Sequence, residues 1–259
     1  LTAAFASQVG VLAGRSVLRT FRQPLHVVPS LVFPLMLLAV NTAGLDAIVL
    51  LPGFPTDSYL DFALGFAFMQ GALFTTTNAG TDLARDIQTG FLNRLALTPL
   101  RGAALLAGHL AGAVTMGIFQ ALVYLGVGLA AGVRFETGVG GVLVLLALAV
   151  VISIGFGALG ATLALRTGTG EAVQASFPLL FALLFLSSMS IPRDLMERDW
   201  FREIATYNPA SYLIEGLRSL IITGWDAQAL GLGFGIGSAI VLLGLASAAL
   251  ALRTRLART

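Results

Sequence analysis

Long apolar runs separated by short polar interruptions organise this chain. A helix crossing a bilayer needs about 20 mostly apolar residues. Six segments qualify: about 25–45, 60–80, 102–132, 138–165, 172–191 and 230–252. The third and fourth exceed one crossing, so they must tilt or run past the interface. Pro29 and Pro34 fall inside the first, where a kink is expected. Gly155, Gly157, Ala158, Gly160 and Ala161 crowd the fourth and permit close helix packing. The pattern predicts an all-α integral membrane protein with six transmembrane helices.

Three segments outside these runs are also patterned. Residues 3–22 set Phe5, Val9, Leu12, Val17, Leu18 and Phe21 beside a face bearing Arg15, Arg19 and Arg22. This predicts an N-terminal amphipathic helix in the membrane interface, its arginines toward lipid phosphates or serving as a topology anchor. After the second run, Leu83, Ile87, Phe91, Leu92 and Leu95 recur at helical spacing. Thr81 or Asp82 can start that helix, Gly90 can end a turn of it, and Thr98-Pro99 stops the segment. The reading is a short cytoplasmic helix over about 82–92 with an apolar face available to lipid or to a groove on a soluble partner. The third segment, about 192–222, begins with a charged run in which Trp200 and Phe201 suit a membrane interface. Asn208-Pro209 opens a second helix that Thr223-Gly224 closes. Neither half is long enough to span, so a re-entrant hairpin is expected, either purely structural or a gate that water and headgroups reach. Glu215 and Arg218 lie three apart on one helical face, placed to pair with each other or to cap neighbouring helix ends.

Composition narrows the class. The chain is 57% hydrophobic and only 11% charged, with a mean hydropathy of +0.90; soluble domains carry about 25% charged residues. An even number of spans puts both termini on one side. With cytoplasmic termini, ten of the fifteen basic residues, all Arg, lie inside. The arginine bias therefore predicts a multi-pass protein of the cell membrane with both termini cytoplasmic and the hairpin outside. The amphipathic start does not follow the charged-then-apolar layout of a cleaved signal peptide. With no cysteine, and with His26 and His109 isolated from other ligands, no metal site is expected. The glycines of Arg166–Glu171 lack the Lys-Ser/Thr and the preceding strand of a phosphate loop, so they read as a turn. No other nucleotide-binding motif exists, so any ATP must be bound by another polypeptide.

Within the runs, Gln70 and Thr75-Thr76-Thr77-Asn78 stand in the second, and Phe177, Phe181 and Phe185 form a stripe in the fifth, followed by Ser187-Ser188-Met189-Ser190. Polar groups at this depth face protein or a cavity. The stripe suits lipid, core or a ligand. No span centre holds an acidic residue, which argues against an ion-coupled carrier. The serines have no histidine at hand, which argues against an intramembrane enzyme.

Two motifs carry a family resemblance. Asp86-Ile87-Gln88-Thr89-Gly90-Phe91-Leu92-Asn93-Arg94-Leu95-Ala96-Leu97-Thr98-Pro99 resembles an acidic-x-x-x-Gly stretch that ends in Thr-Pro, although Gln-Thr here replaces the more usual Lys/Glu-Gly-Thr order. Asn208-Pro209-Ala210-Ser211-Tyr212-Leu213-Ile214-Glu215-Gly216-Leu217-Arg218 is similar to Asn-Pro-x-x-Tyr-x-x-[Glu/Asp]-x-x-Arg. Together with the layout, they resemble the permease subunit of a type-2 ABC exporter, closest to the daunorubicin-resistance type.

The resemblance implies a membrane permease, itself no enzyme, with two ATP-binding subunits and a second permease copy, a homodimer in preference to a heterodimer. ATP and magnesium would sit on the partner, no cofactor on this chain, and no nucleic acid would be involved. Residues 1–24 would form a connecting helix and 25–259 the six-span domain. Asp82, Leu83, Asp86, Ile87, Gln88, Thr89, Gly90, Phe91, Asn93 and Arg94 would couple to the ATPase. Gln70, Thr75, Asn78, Phe177, Phe181, Phe185 and Ser188 would line the substrate path, and Asn208, Pro209, Tyr212, Glu215 and Arg218 would form the outer gate. The implied cargo is a hydrophobic drug or lipid; polysaccharide or haem is the alternative cargo, and a scaffold that transports nothing is the alternative class.

Overall fold

The computed structural model describes residues 2–96 and 101–257. Helix follows the apolar runs, and no strand occurs among the described residues. The helices are α1 (Thr2–Phe21), α2 (Pro24–Leu45), α3 (Tyr59–Gln88), α4 (Phe91–Ala96), α5 (Gly102–Ala130), α6 (Gly138–Thr167), α7 (Gly170–Ala175), α8 (Phe177–Phe185), α9 (Asp199–Tyr207), α10 (Pro209–Ile222) and α11 (Ala227–Leu256). Among the described residues, four stretches are long and apolar enough to cross a membrane: Pro24–Leu50, Gly102–Ala130, Gly138–Thr167 and Ala227–Leu256. The chain is a multi-pass membrane protein. The Thr98-Pro99 stop and the side chain of Asn93 lie outside the described residues, as does Arg258.

Helix α3 occupies the centre. Of its 30 residues 21 are buried, and α2, α5, α6 and α10 pack around it. It begins at Ser58, whose hydroxyl accepts the Asp61 N–H as an N-cap. It crosses α6 at backbone contact. A Cβ on Gly160 would lie 2.0 Å from the Thr76 carbonyl oxygen, and one on Gly80 would lie 2.8 Å from the Gly160 oxygen. The glycines of the fourth span therefore do what their size allows, letting two helix backbones touch.

The prolines of α2 are handled differently from each other. Pro29 removes the donor to the carbonyl of Leu25, which is in the first turn and exposed. Pro34 removes the donor to the carbonyl of Ser30, which is buried. Helix α5 supplies the replacement: the Tyr124 hydroxyl donates to that oxygen at 2.5 Å and Gln120 Nε2 at 3.4 Å. Gln120 Oε1 in turn accepts from Thr75 of α3 at 3.2 Å. One freed carbonyl thus joins three helices.

Two expected elements differ. The fifth run is not one helix over 172–191. It breaks at Ser176 between α7 and α8 and ends at Phe185. Pro178 is the cause, since it cannot donate to the Gln174 carbonyl and its ring crowds that oxygen. Nor does a separate helix start at 81–82. Helix α3 runs through to Gln88, then Thr89 and a left-handed Gly90 (φ +68°) turn the chain into α4.

Candidate functional site along helix α3

At the Gln88 end, Asp82 and Asp86 lie one turn apart and would repel each other. Two arginines of α1 offset this. Arg15 grips Asp86 with both Nη atoms, at 2.8 and 3.0 Å. Arg19 reaches Asp86 at 2.8 Å and Asp82 at 3.2 Å, and Gln23 donates to Asp82 at 3.1 Å. Arg15 also lies 3.8 Å over the Phe91 ring. Burial pushes the Asp86 carboxyl up, but the Arg15 hydrogen bonds and the charges of Arg19 and Arg15 outweigh it and hold the group below its ordinary value. The expectation that Arg15 and Arg19 face lipid phosphates is therefore corrected. Both arginines are drawn to the carboxylates of α3, Arg19 mostly covered and Arg15 still exposed, and the exposed surface of α1 also includes Val11, Leu18 and Phe21.

The apolar face expected to await a partner is also corrected. Leu83, Ile87 and Leu92 are buried in a cluster with Leu106 of α5, Leu165 of α6 and Leu252 of α11. What this end exposes is polar: Arg85, Gln88, Thr89 and Arg94. Thr89 donates to the Arg85 carbonyl at 2.9 Å, and Arg94 to the Thr89 carbonyl at 3.4 Å.

Along the middle of α3 the expected path residues divide. Phe177, Phe181 and Phe185 do form a continuous stack, with ring centroids 5.6 and 4.9 Å apart, and Phe33 of α2 and Phe74 of α3 extend it. Gln70 is buried with neither amide atom hydrogen-bonded. Thr75 faces α5 through Gln120, and Asn78 donates to the His26 carbonyl of α2 at 3.5 Å. Thr75 and Asn78 thus make helix-to-helix bonds, Asn78 one turn along α3 from Phe74 of the phenylalanine stack. Ser188 lies buried beyond the end of α8, against α10.

At the Tyr59 end, α10 stitches residues 183–190 to α3. Asn208 caps two helices at once. Its Oδ1 accepts the Ala210 N–H at 2.9 Å, starting α10, and its Nδ2 donates to the Leu183 and Leu186 carbonyls at 2.6 and 3.1 Å, closing α8. Pro209 follows at the first turn, where no donor is needed. Ser211 Oγ accepts the Ser188 N–H at 3.0 Å. Arg218 is 7% exposed and donates to the carbonyls of Ser188, Met189 and Phe62 at 3.0–3.2 Å, with its guanidinium 3.4 Å over the Phe62 ring. Tyr59 adds a bond to the Ser190 carbonyl at 3.2 Å. Arg218 therefore binds the carbonyls of Ser188 and Met189, beyond the end of α8, and that of Phe62 in the first turn of α3. Glu215 pairs instead with Arg193 at 2.6 Å, and Arg193 stacks over Tyr212 at 4.6 Å. All five residues expected at a gate lie on α10 or at its N-cap. Sequence reasoning missed Arg193, Tyr124 and Gln120; the last two were signalled by a polar pair at i, i+4 inside an apolar helix.

A bundle of apolar helices around one buried, polar-ended helix defines a polytopic membrane protein whose central helix is tied at both ends. The chain belongs to the ABC-2 type transporter family, whose pattern matches residues 7–222, from the first turns of α1 to the last residue of α10. It is similar to a daunorubicin resistance ABC transporter permease protein of Streptomyces coeruleorubidus, 31% identical over 171 residues, which make up 64% of this chain and 59% of that relative. It is also similar to the protein named "Probable doxorubicin resistance ABC transporter permease protein" in two strains of Mycobacterium tuberculosis. That likeness is 25% identity over 221 residues, 85% of this chain and 79% of the relative. The family is one of membrane transport components and not of enzymes.

Proposed function

We propose that this chain is the permease subunit of an ATP-driven exporter of hydrophobic drug or lipid-like molecules. In this reading α2, α3, α5, α6, α7–α8 and α11 are the six crossings, both termini are cytoplasmic, and two permease copies work with two ATP-binding subunits that hold ATP and magnesium. The single observation that carries it is the continuity of α3. One helix of 30 residues, about 45 Å at 1.5 Å per residue, joins the Arg15/Arg19 ion-pair cluster to the Arg218 stitch. A displacement imposed at the Asp86 end arrives at Tyr59 and Phe62, which hold the 183–190 segment and α10.

The ATPase would seat on the polar surface of Arg85, Gln88, Thr89 and Arg94, while Asp82, Leu83, Asp86 and Ile87 hold that surface rigid from within. Gln70 and the Phe177–Phe181–Phe185 stack would border the path beside α3 and α8. Asn208, Pro209, Tyr212, Glu215 and Arg218 would make the outer gate. ATP binding need only favour one of two helix arrangements over the other. The names of the relatives support a drug as cargo. The test is co-purification with an ABC ATP-binding subunit from the same organism, followed by hydrolysis in proteoliposomes. A two-plus-two complex whose hydrolysis rises with substrate is expected; a well-folded permease that binds no ATPase would overturn the reading.

A further inference from the structure

Helix α9 separates two clefts of opposite character. Trp200, Glu203, Ile204 and Tyr207, at i, i+3, i+4 and i+7, line one; Arg202 and Thr206 line the other together with Arg193, Glu215 and Arg218. An ion pair with Asp199 ties Arg202 within α9. The first cleft has a volume of about 710 Å³ and a floor of Met69 and Leu73 from α3, Phe156 from α6, Leu184 from α8 and Leu213 from α10. Among its described lining residues Glu203 is the only charged one, and it makes no ion pair among the described residues. Trp200 and Tyr207 beside it are 60% and 81% exposed.

Size and chemistry together select a ligand. Small-molecule sites occupy about 300–1,000 Å³ and combine an apolar wall with few polar groups. Here the one charge is a carboxylate flanked by two aromatic rings, both of which attract cations. The helix places its one arginine, Arg202, on the opposite side, so the only charge an anion entering this cleft would meet is that of Glu203. We propose that the cleft binds an amphipathic organic cation, its apolar body on the floor and its positive group between Glu203 and the rings of Trp200 and Tyr207. That such a cation is cargo rests on the exporter reading; that it binds does not.

The chain has two tryptophans, so Trp225→Phe leaves Trp200 as the only indole. The full chain in nanodiscs would be titrated with tetraphenylphosphonium and, separately, with the matched anion tetraphenylborate. A saturable change in Trp200 emission with the cation is expected, weakened about tenfold by Glu203→Gln and retained in Glu203→Asp. Because Glu203 is exposed, neither variant should disturb folding. Equal affinity in Glu203→Gln, equal affinity for the anion, or no saturable response would overturn the site; the last is what a face resting only in lipid or against a second copy would give. ATP hydrolysis by the complex is read separately. Stimulation by the cation that Glu203→Gln removes supports the cargo role, whereas cation binding with no effect on an otherwise active complex rejects that role and leaves the site standing.

Discussion

Replacing Tyr124 by Phe removes one hydroxyl from a fully buried ring and nothing else. That hydroxyl serves the Ser30 carbonyl, which Pro34 has stripped of its helical donor. Afterwards only Gln120 remains, at 3.4 Å, too long to serve well. A buried acceptor left short of a partner costs about 1–3 kcal/mol, and interhelical bonds in membranes average about 0.6 with a maximum near 1.7. The expected loss is therefore about 1–1.5 kcal/mol. Pro34→Ala supplies the cross-check, because an alanine at that position restores an N–H to the same oxygen. In that background Tyr124→Phe should cost about nothing, giving a coupling energy of about 1 kcal/mol, above the roughly 0.3–0.5 kcal/mol scatter of additive pairs. The assay is reversible unfolding in mixed micelles of graded SDS content. An equal cost in both backgrounds would refute the claim that Tyr124 answers Pro34.

Arg218→Lys keeps the charge but loses the planar fork that serves three carbonyls; a stability loss of about 1–3 kcal/mol in the same assay, with impaired export, is expected, and wild-type stability would contradict the stitch. Asp86, beyond the apolar part of α3, is held below its unfolded value of 3.8. Its contribution is therefore complete above that pH and lost as pH falls through the lower folded value. The thermal midpoint of Asp86→Asn should accordingly lie below wild type at about pH 7 and approach it as the pH falls below 3.8, while a gap unchanged with pH would reject the ion pair. Arg85→Glu with Arg94→Glu should abolish ATPase stimulation and leave the melting curve intact, whereas Ile87→Asp, at a site only 8% exposed, should unfold the protein; the reverse result would restore the apolar docking face.

The apolar runs, the Asn208-Pro209 start and the Gly224 stop were legible because each depends on local spacing or on a single residue's backbone limits. The partners of charged groups were not. Helical periodicity shows that Leu83 and Ile87 share a face but not whether that face meets solvent or α5 and α6. The arginines of α1 look lipid-facing until α3 is placed beside them with Asp82 and Asp86. Pro178 announced a disruption in the fifth run, but hydrophobicity through residue 191 masked it. Thr75 and Asn78 read as path residues because polar groups in a span face something; which neighbour they face is decided by the rotation of α3, and no spacing along one chain records that.

The helix at the centre is the one least suited to enter lipid alone. Helix α3 is as long as its neighbours yet stands outside the set apolar enough to cross by composition, and it carries Gln70, Thr75, Thr76, Asp82 and Asp86 toward the interior. Synthesis proceeds from the N-terminus, so α3 leaves the ribosome before the α5 and α6 that will shelter it. During that interval Arg15, Arg19 and Gln23 are already made and can serve Asp82 and Asp86, whereas Thr75 still lacks Gln120 of α5. The order of synthesis therefore supplies the partners of the two carboxylates first and the helices that pack on the middle of α3 afterwards.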